Sequence, residues 1–193
     1  MSADIVSQYL ELFGQEALNS GANSEQIEGL QAEFRPHVLP SELLDLYART
    51  NGVNAEVALG ISTFLDVETV LANFHFLQTE FTETGIVWRK SLMPIGDNDG
   101  AYLLIDLDRL GRNEPNVFFW DMAAGDNSMS LESDSFESLL EMNVSARALA
   151  ATSKKSLVDA FEEVQRRLCP DKYDVTQQSD RAPSGLVNLV EIF

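Results

Sequence analysis

Short motifs follow one another in an order that fixes what this chain can fold into. They are Leu39-Pro40, Asn51-Gly52, Pro94-Ile95-Gly96, Ile105-Asp106, Val117-Phe118-Phe119-Trp120 and Ser135-Phe136. A proline just ahead of an apolar-periodic run and an Asn-Gly pair just behind it mark the two ends of a helix. The runs between Ile86 and Asp121 have the length and the β-branched and aromatic content of strands. Helical spacing resumes after Ser135. The series therefore describes helices on both sides of a β region, and none of its segments carries catalytic chemistry.

The helical expectations are specific. Ile5, Val6, Tyr9, Leu10 and Phe13 share one face of a first helix, with Ser2 as N-cap and Gly14 as its end. Ile27, Leu30 and Phe34 give a narrow stripe on a second, which begins at Ser24 and stops at Pro36. In a third, Leu43, Leu44 and Tyr47 form the core face. A longer helix follows Asp66 as N-cap and carries Val67, Val70, Leu71, Phe74 and Phe81 as far as Thr84-Gly85. Phe136, Leu139, Leu140 and Met142 belong to a helix capped within Ser133-Asp134-Ser135. A last helix begins near Thr152-Ser153, carries Leu157, Val158, Phe161, Val164 and Leu168, and ends at Pro170.

Between the helices, Ala101 to Leu107 and Val117 to Trp120 read as an antiparallel pair, with a short further strand through Met129 and Leu131. Residues 54 to 63 read as a strand or an irregular edge. Trp120 reads as core, because large aromatics serve burial. At 193 residues the chain is long enough for one domain with a real core.

Charge separates function classes. Thirteen Lys and Arg face 31 Asp and Glu, a net charge of −18. Such a field repels phosphate backbones and anionic lipid and speeds encounter with basic proteins, so neither direct nucleic-acid binding nor membrane binding is expected. The single cysteine, Cys169, excludes an internal disulfide and fits a reducing compartment. No window approaches a membrane span, and the first residues lack the charge and apolar pattern of a signal peptide. A cytosolic location is the expectation.

The sequence carries few signs of catalytic chemistry. Asp97-Asn98-Asp99-Gly100 with Asp108 imitates a calcium loop, but Ala101 and Tyr102 stand where the fifth ligand and the obligatory glycine belong. Asp and Asn beside Gly serve a tight turn instead. His37 and His75 have no ligand spacing, Cys169 has no histidine partner in a hydrolase pattern, and there is no G-x-S-x-G or phosphate loop. No catalytic residue, metal site or cofactor is expected. A carboxylate-based or metal-dependent enzyme rests on the Asp97 to Asp108 cluster alone.

The acidic residues from Asp97 to Glu141 are the candidates for function, with only Arg109 and Arg112 as counter-charges in that interval. Many fall in turns between β elements, where exposed side chains can converge on one rim. The partner-binding candidates are Asp97, Asp99, Glu114, Asp121 and Asp126.

The ordered motifs, from Leu39-Pro40 through Asn51-Gly52, Pro94-Ile95-Gly96, Gly100, Ile105-Asp106 and Val117-Phe119-Trp120 to Ser135-Phe136-Leu139-Leu140, resemble the SMI1/KNR4 (SUKH) superfamily. The resemblance covers about 24–142, within a single domain spanning 1–193. It leaves an N-terminal helix at 1–14 and a C-terminal helix and tail at 143–193. It implies an α+β fold, a mainly antiparallel sheet flanked by helices, and no catalytic residues. For a bacterial member it implies an immunity protein that neutralises a cognate protein toxin, often a nuclease. The partner would be a basic toxin met by the acidic surface. A scaffold or regulatory module without a toxin is the alternative, since fungal members act as scaffolds in cell-wall signalling.

Overall fold

A computed structural model describes residues 4–55, 58–60, 62–83, 88–108, 114–121 and 129–169, and the fold is stated for these. The order of elements is α1 (Ile5–Leu10), a 3-10 turn (Gln15–Ala17), α2 (Ser24–Glu33), α3 (Ser41–Arg49), α4 (Val67–Glu83), β1 (Leu92–Asn98), β2 (Ala101–Asp106), β3 (Asn116–Asp121), β4 (Met129–Ser133), α5 (Phe136–Thr152) and α6 (Leu157–Leu168). The four strands form one antiparallel sheet in sequential order. Among the described residues six helices accompany it, so the fold is α+β.

Local chemistry sets the helix ends, with some departures from the expected residues. Asp4, not Ser2, caps α1, accepting from Ser7 N at 2.8 Å. Asn23 and Gln26 close a reciprocal capping box on α2. Asp66 caps α4 through Thr69 N, as expected. Ser135 caps α5, and α6 starts at Ser156 because Thr152 and Ser153 finish α5. The buried face of α3 is Leu43, Leu46 and Tyr47, with Leu44 half-buried. In α6 Phe161 and Val164 are buried as expected, but Val158 and Leu168 are 47% and 40% exposed. Leu186 to Phe193 and the Thr84-Gly85 helix end lie outside the described residues.

In the sheet every residue of β2 is buried, so both of its faces are covered. Trp120 is 1% exposed and packs against Trp88 and Tyr102, with ring centroids 5.3 and 6.1 Å away. Ile95 bulges out of register between Pro94 and Gly96. The outer edge of β1 is not open, since Thr63 N and Leu65 N donate to Asp97 O and Ile95 O at 2.9 and 3.0 Å. Gly96 permits this approach, because a Cβ there would lie 2.6 Å from Thr63 O.

The segment from Val53 to Leu65 is irregular and mostly buried where described, joined to its surroundings by isolated bridges rather than a strand ladder. Its backbone polar groups therefore need other partners. Tyr9 Oη of α1 donates to Ala58 O at 3.0 Å, and Tyr47 Oη of α3 donates to Leu65 O at 3.2 Å. Gly60 N donates to Asn143 Oδ1 of α5 at 2.9 Å. Burial pushes both phenols well above the usual tyrosine range, so they stay protonated donors. Phe161 of α6 packs on Gly60, and Gln165 Nε2 donates to Glu132 O of β4 at 2.9 Å. One hydrophobic core accordingly includes Val6 of α1 and Phe161 and Val164 of α6 alongside the sheet.

Asn51-Gly52 serves two purposes. Gly52 takes φ +84° after α3, as expected, while Asn51 Oδ1 accepts from Val67 N at the start of α4.

Three substitutions test this arrangement by urea unfolding. Tyr9→Phe leaves the Ala58 carbonyl buried and unpaired, and Asn143→Ala does the same to Gly60 N–H. Each should cost about 1–3 kcal/mol. The two groups lie two residues apart, so the double variant should cost less than the sum. Gly96→Ala should cost about 1–3 kcal/mol by forcing β1 away from Thr63.

Candidate functional site

At one end of the sheet β1 turns into β2 through two residues. Asn98 pairs with Ala101, and the central Asp99 and Gly100 both have positive φ, 51° and 89°. A primed turn of this kind matches the twist of a hairpin, and Asp-Gly is among the pairs that adopt it readily. Asp97 Oδ1 accepts from Gly100 N at 3.1 Å and fixes the corner. Asp99 is exposed at the tip.

The next strand pair brings Asp121 to the same end, because Ala101 pairs with Asp121. Strand alternation puts Asp121 on the sheet face of Ala101, and Asp97, opposite Tyr102, on the other. Burial and the charge of Asp97 together raise the Tyr102 phenol. Three of the five candidate carboxylates thus surround one end of the sheet on both faces. Asp126 lies outside the described residues.

Glu114 does not join them. It precedes β3, whose first residue Asn116 pairs with Asp106 at the far end of β2. That end carries its own charge cluster. Arg89 Nη2 bonds both Asp106 Oδ1, at 3.2 Å, and Asp108 Oδ2, while His37 Nδ1 lies 3.6 Å from Asp108. Asp106 is 3% exposed. Burial raises its pKa against the opposing charge of Arg89. For Asp108 burial also pushes upward, but hydrogen bonding to Arg89 and the charges of Arg89 and His37 outweigh it and leave the carboxyl below its usual range.

The same hairpin separates the residues of the calcium-like motif. Asp97 is committed to its turn, and Asp108 sits past the other end of β2 with Arg89. Chelation would need both at one point. Among the described residues no group of three or more His, Cys, Asp or Glu is placed to hold a metal ion.

Two corrections concern the wider acidic set. Asp106 and Glu132 are buried, so they leave the surface. Arg109 and Arg112 lie outside the described residues, and among the described ones Arg89, which precedes the acidic interval, reaches Asp106 and Asp108 through folding. Within Ser133-Asp134-Ser135, Ser135 is the residue that caps α5, as that reading allowed. What the exposed end can do is present negative charge on a rigid corner, held by strand pairing.

Comparison with protein families matches residues 21–142, well over half of the chain, to the SMI1 / KNR4 family (SUKH-1). No curated protein gives a significant match. The matched span begins after α1 and ends inside α5, so α1 and α6 lie beyond it.

Asp106 gives the site region a pH signature. A carboxyl whose folded pKa exceeds its unfolded value contributes stability that is complete below the unfolded pKa, about 3.9, and is lost as pH rises through the folded one. Asp106→Asn has no such loss. Its stability relative to the wild type should therefore increase as pH is raised from about 3.5 to 7, measured by urea unfolding at each pH.

Proposed function

The chain belongs to the SMI1/KNR4 (SUKH-1) family, and from that premise we propose that it is an immunity-type protein, which binds a cognate basic bacterial toxin and occludes it without chemistry. The observation that carries the reading is the family match over 21–142, since the family is generally non-catalytic. Its charge supports the same conclusion. At −18 the chain repels nucleic acid and attracts a basic protein, including a nuclease whose own surface is shaped to hold a phosphate backbone.

Occlusion of this kind needs a rigid complementary patch. Asp97, Asp99 and Asp121 would supply the steering field at the sheet end, with contacts made after encounter setting the lifetime. The place of action on this reading is the cytoplasm. Among the described residues no helix is long and apolar enough to cross a membrane.

Co-expression with the toxin-like product of the adjacent gene, followed by pull-down at about 150 mM salt, tests the proposal. The product should be captured and its toxicity suppressed. Replacing Asp97, Asp99 and Asp121 together by Asn keeps the turn acceptor and tolerates the positive φ. The triple variant should slow association about tenfold and flatten its salt dependence. No capture and no protection would overturn the reading.

A further inference from the structure

A groove runs along α5, between α1 and α6. Its floor is one helical stripe, Glu137, Glu141, Val144 or Ser145, and Ala148 or Leu149, spaced by four, three or four, and four residues. The groove has two compartments of about 500 and 520 Å³, and Ser145 and Arg167 border both. Twelve residues of helix give it a length of about 18 Å.

The two halves differ in chemistry. The first is rimmed by Asp4, Glu137 and Glu141 against the one guanidinium of Arg167. Asp4 is engaged with Ser7 and Arg49, whereas Glu137 and Glu141 are exposed and make no hydrogen bond or ion pair among the described residues. Leu168, 40% exposed, lines that half too. In the second half the floor turns apolar, through Ala148, Leu149 and Val164. Glu163 is there paired with Lys155.

We propose that this groove docks a basic amphipathic segment of the partner protein, about 12 residues long, with its Lys or Arg side chains over Glu137 and Glu141 and its apolar side chains over Leu149 and Val164. The proposal rests on the binding-protein reading above and adds a second surface to it. Charge selects the occupant. A second copy of this chain brings another −18, and the chain's own residues 170–193 carry Asp171, Asp174, Asp180 and Glu191 against Lys172 and Arg181 and are acidic on balance. Either would meet Glu137 and Glu141 with like charge, and only a cationic segment complements them. Both side walls, α1 and α6, lie outside the span matched to the family, while Glu137 and Glu141 lie inside it.

The test uses the full chain and a fluorescent peptide of about 14 residues, long enough to fill the groove, with lysines in its first half and leucines at helical spacing in its second. Anisotropy at about 150 mM salt should show saturable binding. Glu137→Lys with Glu141→Lys should weaken it about tenfold or more, and Leu168→Ser about threefold. The Asp97, Asp99 and Asp121 triple Asn variant should stay within about twofold. Circular dichroism should be unchanged in all, since the altered side chains are exposed or half-buried. A photo-crosslinker at Ala148 should capture the peptide.

No binding to the wild type, or equal loss in the sheet-end variant, would overturn the groove. So would crosslinking of Ala148 to a second copy or to the chain's own last residues. Capture of the toxin product at full affinity by the Glu137→Lys, Glu141→Lys variant would also overturn it, while leaving the immunity reading in place.

Discussion

The rest of the structure depends on how the described residues between Val53 and Leu65, irregular and mostly buried, find hydrogen-bond partners. A strand or helix satisfies its own backbone, but a segment joined by isolated bridges cannot. Here the donors and acceptors come from far along the chain, from Tyr9, Tyr47 and Asn143, and from β1 through Thr63 and Leu65. Each lost partner would strand a polar group in the core. This requirement ties α1, α3, α5 and the sheet edge to one another. Phe161 adds α6 by packing on Gly60. Helices that lie beyond the family-matched span are thereby part of the same core.

Much of this was legible in the sequence, and what was not has identifiable causes. The turn at Asp99-Gly100, the pairing of 101–107 with 117–120 and the burial of Trp120 follow from local chemistry and alternation. The helix faces follow from spacing, with errors where two apolar residues compete. Leu46 took the place of Leu44 because α3 packs along Leu43, Leu46 and Tyr47. Val158 and Leu168 keep the spacing of a core stripe but have too little opposite them, and α6 buries Gln165 instead, through its bond to Glu132 O. Caps misread by a few residues, Ser2 for Asp4 and Thr152-Ser153 for Ser156, reflect several competent side chains in a row, among which only packing decides. Long-range pairing was invisible. Nothing in the order of residues says that Arg89 clamps Asp106 and Asp108, or that Glu114 stands at the opposite end of the sheet from Asp99.

The site follows the same division. Antiparallel register alone brings Asp97, Asp99 and Asp121 to one end, and that part could be anticipated from strand order. The groove along α5 could not, because it exists only where α1 and α6 flank α5. Arg89 pairs with both Asp106 and Asp108, so the charge at the far end of the sheet is partly neutralised. Among the described residues no such clamp acts on Asp99 at the hairpin end. A protein carrying −18 therefore presents its charge unevenly, and unevenness is what steers a partner to one orientation.

The most direct test of this account is backbone hydrogen exchange of the full chain, alone and with the toxin-like product of the neighbouring gene. The account predicts new protection at Asn98 to Ala101 and beside Asp121, with exchange at Val53, Ala58, Leu59, Gly60, Ser62, Thr63 and Leu65 unchanged because their amides are already bonded. A stable complex that leaves the hairpin end as open as before, or no complex at all, would contradict it.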